Sequence, residues 1–584
     1  MEFPLIMKNK IYYIPILLFS FIQIINAQVL PGYEDGLKTI SAKELKQYVY
    51  FLADDSMKGR AAGSDENLLA AMFIAEKFRE AGLSPAFPDK YNRKKEESDY
   101  KAPLKISNAG LYDEFFQKFT LQKTKLTENC TLSVTQKNEV GSVEVSYEMG
   151  KDFFIKYSGG EDVKYEAPMV FLGYGIFDGE NGYSDFVDSD GKEIDLKDKI
   201  AVMVDSYPQA NDTASAFSIA NKIEYRIFKH KAKYALDKGA LAVFSVQSPL
   251  FQEAPVDIKY DKTLDLAERV YTNLHERERK EIPVIYPTNK IVKEIFEHMC
   301  DKDLKSLLTK IDTELKPQSF EFPNISVSIK IDLEYETLNT QNVIAYLEGS
   351  DPALKDEVVV FSGHYDHVGI GEYGALDKSR IGEVHNGADD NASGTSGLIE
   401  LAQAFSVSKP KRSAIFIGFS AEENGLLGSK FYVRNQPVFP IEKTVAIINL
   451  DMIGRNAPEL VWVGGAFYGR DIIETAKQAN SLVGMELLYN IGFLGNASDQ
   501  APFLHEDIPA IFFFAGLHDD YHTPDDDADK LDYNKMKRIT DLAFLSGWIL
   551  TNQEKKPVYV DIPMDERSEI VKDSVKRQRK FEKK

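Results

Sequence analysis

Four short apolar runs, Val358 to Phe361, Ile415 to Phe419, Val445 to Leu450 and Ile511 to Phe514, are β-branched or aromatic and lie a helical length apart. Runs apolar on both faces read as buried parallel strands, and parallel neighbours need crossover connections that are usually helices. The pattern predicts an α/β unit whose mixed, largely parallel central sheet is flanked by helices. In an open sheet of this kind, side chains just past the carboxyl ends of the strands converge on one site.

Carboxylates and imidazoles occupy those places. SGHYDHVG carries His364 and Asp366, NGADDNASG carries Asp389 and Asp390, and FIGFSAEENGLLGS carries Glu422 and Glu423. IINLDMIGR adds Asp451, and DDYHTPDD adds Tyr521 and His522. Imidazole and carboxylate without thiolate suit zinc, and a bridging carboxylate can hold two ions about 3.5 to 4 Å apart. Singly, each motif has an ordinary explanation. The His-x-Asp of 364–366 fits a polar turn, NGADDNASG a helix start capped by Ser393 or Asn391, Glu422 and Glu423 first-turn acids, and Asp451 a strand end. All five in one chain argue for metal chemistry. His367, His385, His505 and His518 are read as surface or packing residues, with a substrate-side role as the alternative for His367 and His385, which lie close to the motifs. The acidic run from Asp525 to Asp532 lacks the EF-hand pattern and reads as a solvated turn.

The ordered motifs resemble the co-catalytic dizinc aminopeptidase family, which also contains glutamate carboxypeptidase, secreted glutaminyl cyclases and the transferrin receptor ectodomain. The resemblance implies a zinc exopeptidase fold of the phosphorylase/hydrolase-like kind. It implies His364 and Asp451 as terminal ligands of one zinc, Glu423 and His522 as those of a second, and Asp390 as the bridge. Glu422 becomes the general base, Asp366 the outer carboxylate that orients His364, and Tyr521 a donor to the developing oxyanion. Asn391 takes the place where family members often have a cis bond. The implied reaction is removal of amino-terminal residues from peptides with a free α-amino group. Carboxypeptidase action is an alternative of the same chemistry; a glutaminyl cyclase-like acyl transfer, working with one zinc, is a rival of another class that the protease-associated insert argues against. A third is a receptor-like ectodomain without activity, but such a chain is expected to have lost ligands, and none is missing here.

The remainder divides into five segments. Residues 1–27 read as a signal peptide: Lys8 and Lys10 precede an apolar stretch from Ile11 to Ile25, with cleavage near Ala27 and Met7 as a candidate start. The stretch is shorter than the roughly 20 residues that span a bilayer. The expectation is a periplasmic or secreted protein with no stable membrane insertion. Residues 28–144 open the peptidase domain with an amphipathic helix from about Glu66 to Ala81, and Asp89 to Lys101 reads as a lengthened surface loop. From 145 to 325, short strands punctuated by glycine and acidic turns resemble a protease-associated domain, expected to wall the cleft or restrict substrate size. Residues 326–552 carry the metal motifs, and 553–584 form a charged tail expected to be mobile or weakly helical. Cys130 and Cys300 fit either a single disulfide or two packed thiols. A formal net charge of −21 argues against nucleic acid or an anionic membrane as partner.

Overall fold

The computed structural model describes residues 29–87, 105–250, 270–273 and 282–581, apart from 158, 160, 179–181, 211, 213–216, 218–227 and 490–491. The signal-like segment and the Asp89 to Lys101 loop lie outside the described residues.

The four apolar runs form the centre of one ten-stranded sheet. After helix α1 (Asp65–Glu80) come strands β1 (Phe116–Leu126), β2 (Leu333–Leu347) and β3 (Val358–His364). Helix α2 (Gly394–Ser408) leads to β4 (Ser413–Phe419), β5 (Thr444–Leu450) and β6 (Leu460–Gly464). Helix α3 (Arg470–Val483), β7 (Glu486–Leu488), β8 (Ala510–Phe514), α4 (Tyr533–Asn552) and α5 (Met564–Phe581) complete the unit. Strands β4, β3, β5 and β8 are adjacent in that order and mutually parallel. Antiparallel β2 flanks β4, antiparallel β6 flanks β8, and β7 runs parallel to β6 at the edge.

Every residue of β3, β4, β5 and β8 is buried, as expected for strands covered on both faces. On one face, α1, α2, α3 and α4 contribute Ile74, Phe405, Ile472 and Phe544 to a core with Phe361 and Phe416. On the other, Ile415, Ile417 and Ile447 pack with Tyr432 and Phe503.

Strands β1 and β2 form an antiparallel ribbon in register from Phe116↔Val343 to Leu126↔Leu333. The chain leaves at the tip of this ribbon, where the Thr127 N–H donates to the Asp332 carbonyl at 3.0 Å. Apart from Val270–Asn273, which pairs with β1 at the edge of the first sheet, the strands between them build chiefly a second, eight-stranded sheet with its own apolar core around Phe171, Val202, Phe244 and Val327. Its strands run from Thr131 to Ile331, wider than the 145–325 read from the sequence. Two adjacent termini let such a unit be inserted without breaking the first sheet. Cys130 and Cys300 are both free thiols in this part of the chain, so the packed alternative holds and the bridge does not form.

The carboxyl-terminal segment is docked. Val560 and Ile562 donate backbone hydrogen bonds to the Tyr468 and Phe467 carbonyls. Arg577 of α5 reaches the Glu486 carboxylate (2.7 Å) and the Leu487 carbonyl (2.6 Å) on β7. Of the two expectations for this tail, mobile or weakly helical, the structure has the helical one, docked on the domain. Ile562 is buried and Ile570 packs on the core, an apolar stripe obscured by the density of charge around it.

Candidate metal centre and active site

Parallel packing places the carboxyl ends of β3, β4, β5 and β8 side by side. His364 is the last residue of β3, Glu422 and Glu423 follow β4 by a few residues, Asp451 follows β5 directly, and His522 lies in the connection after β8. Asp390 comes from the irregular turn Ala388–Ser393 that opens α2. Asn391 joins three of these segments: its side chain donates to the Leu450 carbonyl (3.0 Å) and accepts from the Gly394 (2.9 Å) and Met452 (3.2 Å) N–H groups. It thus caps the helix, as one of the two residues expected to do so, and its peptide bond with Asp390 is cis. Ala421, Met452 and His522 all adopt positive φ, of 60°, 52° and 53°, a conformation non-glycine residues tolerate mainly where the surroundings impose it.

The side chains form two adjoining groups. His364 Nε2 lies 3.3 Å from both Asp390 Oδ1 and Asp451 Oδ1, and 4.0 Å from Glu422 Oε2. His522 Nε2 lies 3.0 Å from Asp390 Oδ2 and 3.1 Å from Glu423 Oε2. Asp390 therefore offers one oxygen to each group. The His522 nitrogen makes no aligned hydrogen bond despite these short separations, and Asp451 Oδ1 is likewise buried without a hydrogen-bond partner. Donor atoms that converge at about 3 Å without bonding one another fit the ligand shell of an ion with bonds near 2.0 to 2.2 Å. The oxygen and nitrogen donors suit zinc, and the residues present fit two ions that share Asp390.

Burial pushes the Glu422 carboxyl well above the usual carboxylate range; Glu423, Asp499 and Asp451 add to the rise while His364 opposes it. Burial would lower His364, but Asp451 and Glu422 outweigh it and raise the imidazole well above its ordinary value. Tyr521 stacks on His522 with ring centroids 3.9 Å apart, and burial together with the nearby carboxylates keeps its phenol protonated.

Asp366 is fully buried, but its contacts differ from those implied by the resemblance. Its carboxylate lies 3.8 Å from His364 Nδ1, beyond hydrogen-bond distance. The Asp366 backbone carbonyl, at 3.2 Å, takes the place of the orienting partner. The carboxylate instead accepts the N–H groups of Glu422 (3.2 Å) and Glu423 (3.3 Å), fixing the turn that carries both glutamates. A two-residue spacing allowed either arrangement, and the close approach of the β4 turn selects the second.

Two residues of the site were not singled out from the sequence. His367, read as a surface or packing residue, is 1% exposed and stands against Glu423 and His522. Asp499 is fully buried among the same charges, and burial raises its carboxyl to about 7. The second histidine of the His-Tyr-Asp-His string was the available signal for His367. Asp499 stands in none of the five motifs and had no comparable signal. Of the other histidines, His385 is buried beside the site, and His518 is half-buried with its Nε2 3.4 Å from Asp389 Oδ2.

Residues 342–546 match the model of peptidase family M28. Over 246 residues, 41% of this chain and 50% of the relative, the sequence is 26% identical to aminopeptidase YwaD of Bacillus subtilis. Over 178 residues, 30% of this chain and 36% of the relative, it is 32% identical to leupeptin-inactivating enzyme 1 of Streptomyces exfoliatus. The matched stretches thus span half or less of these curated relatives. An aminopeptidase from Aneurinibacillus sp. strain AM-1 superimposes with a TM-score of 0.52 at 20% identity, covering 91% of this chain and 98% of that one, which shows a common fold.

Proposed function

We propose that this chain, whose residues 342–546 belong to peptidase family M28, is an exported zinc aminopeptidase that removes amino-terminal residues from peptides. The division of Asp390 carries the reading, one oxygen 3.3 Å from His364 and the other 3.0 Å from His522. His364 and Asp451 would hold one zinc and Glu423 and His522 the other, with Asp390 offering one oxygen to each. When bound, the ions supply Lewis-acid activation of water and of the scissile carbonyl.

Glu422 is the general base. Its carboxylate takes a proton from the attacking water and returns it to the departing amine, and its neighbour Glu423 is occupied as a ligand. Asp366 holds both glutamates through their backbone N–H groups, so base and ligand are set by one buried carboxylate. Tyr521, kept protonated, donates to the developing oxyanion. The second sheet is a protease-associated domain that limits access to the cleft. No helix among the described residues is long and apolar enough to cross a membrane.

The test is hydrolysis of free-amino, amino-blocked and carboxyl-terminal reporter peptides by purified protein, with chelator and zinc add-back. Chelator-sensitive cleavage confined to free-amino substrates is expected. Cleavage of amino-blocked peptides alone, or none by zinc-loaded protein, overturns the aminopeptidase reading.

A further inference from the structure

Glu423 uses its two oxygens differently. Oε2 faces the point where His522 and Asp390 converge, while Oε1 lies 2.8 Å from His367 Nδ1. Building on the two-metal reading above, we propose that His367 is a positioning residue: its Nδ1–H donates to Glu423 Oε1 and holds Glu423 as a one-oxygen ligand of the ion shared with His522.

The competing role is direct coordination, since His367, Asp390, Glu423 and His522 together have the composition of a four-ligand site. Alignment decides between them. His522 Nε2 is almost as close to its two carboxylate oxygens but makes no aligned hydrogen bond. His367 Nδ1 directs its hydrogen at Glu423 with bonding geometry, and 2.8 Å is the length of a charge-assisted N–H···O bond. His367 Nδ1 stands 3.9 Å from Asp390 Oδ2, against 3.0 Å for His522 Nε2.

The tautomer follows from chemistry. A carboxylate only accepts, so the proton belongs on Nδ1, which leaves Nε2 a bare acceptor that is buried without a partner. The reverse tautomer would strand a buried N–H and oppose two lone pairs, a larger penalty. The ring is held in place by its surroundings. It meets His522 edge to face at 5.4 Å, and the His367 backbone N–H donates to the Arg60 carbonyl. A Cβ on Gly387 would come within 2.5 Å of the ring. Glycine at 387, with φ of +57°, is therefore what allows the imidazole to lie against Glu423.

Zinc affinity of the full-length protein, read by competition with a chromophoric chelator, tests the assignment in His367→Ala and His367→Asn. The Asn amide reaches the Nδ1 position with an N–H but is a poor zinc ligand. His367→Ala should weaken one of two zinc ions about 10- to 100-fold, the scale for loss of an outer hydrogen bond to a ligand, and leave the other unchanged. His367→Asn should recover most of that loss. Equal weakening in both variants, with one imidazole fewer around the cobalt-substituted site by X-ray absorption, would make His367 a ligand and overturn the proposal. Unchanged affinity in both would remove any role. Wild-type protein that fails to take up two zinc ions would sink the metal reading itself, whereas a two-zinc wild type with an indifferent His367→Ala sinks this inference alone.

Discussion

Asp366→Asn separates the two ways in which a buried carboxylate two residues after His364 can serve the site. The wild-type side chain accepts the Glu422 and Glu423 N–H groups at 3.2 and 3.3 Å and stands 3.8 Å from His364 Nδ1. An asparagine keeps one acceptor oxygen and presents an NH2 group to the other backbone N–H, leaving a buried donor unmatched at about 1 to 3 kcal/mol. Since 1.4 kcal/mol is tenfold, the position of Glu423 as a ligand should weaken by roughly 5- to 150-fold in zinc affinity. Loss of a negative charge also weakens both ions, but that contribution is common to them, so the difference between sites reports the hydrogen bonds. The assay is zinc titration of Asp366→Asn in two single-site backgrounds: His364→Ala, which retains the Glu423 and His522 site, and His522→Ala, which retains the His364 and Asp451 site. The larger loss is expected in the His364→Ala background. A larger loss in the His522→Ala background would mean that Asp366 acts on the His364 imidazole and would refute the reasoning.

Four other outcomes follow from the same geometry. Glu422→Gln should keep both zinc ions and lose turnover by about 10²- to 10⁴-fold, the usual contribution of a positioned base; metal analysis beside kcat checks it, and full activity would reassign the base. Zinc at a thousandfold excess over its dissociation constant should stabilise the native protein by about 4 kcal/mol, and the melting temperature of Asp390→Ala should respond far less. Asp185, inside the second sheet, accepts the Tyr174 and Ile176 N–H groups and the Tyr183 hydroxyl. Asp185→Ala should destabilise that unit by at least about 3 kcal/mol and leave zinc affinity intact, as denaturant unfolding with parallel metal titration would show. Burial raises the Glu400 carboxyl to about 8, against roughly 4.3 in an unfolded chain. The native state therefore keeps a proton that the unfolded chain releases, so this contribution is full below pH ~4 and is lost as pH rises toward 8. Glu400→Gln should flatten the pH dependence of unfolding free energy between those limits, and an unaltered slope would count against the shift.

The sequence made the central sheet legible because β3, β4, β5 and β8 have no polar face to confuse with a helix, and burial on both sides demanded continuous apolar runs. The same rule located the site, since His364 and Asp451 stand where each strand stops. Contacts between loops were harder to read. Asp366 could have met an imidazole two residues away or a turn 56 residues away, and only the register of β3 against β4, His364↔Phe419, brings the second within reach. His367 was given a surface or packing role for a related reason. Three residues past the end of β3, nothing in its own segment indicates burial, and the groups that enclose it, Glu423, Gly387 and His522, come from three other segments.

That dependence has a mechanical consequence for the proposed chemistry. Glu422 and Glu423 share one turn, and that turn is tied to the β3 segment twice, through the Asp366 carboxylate to its backbone and through His367 to the Glu423 side chain. The β3 segment is in turn fixed by Arg60, whose buried guanidinium donates to the carbonyls of Tyr365, Asn386 and Gly387. Base, ligand and bridge therefore rest on a single buried network, so a change at any member displaces the others together. Disturbing Asp366 and His367 at once should consequently cost less than the sum of the two separate losses, because each alone already frees the same glutamate turn.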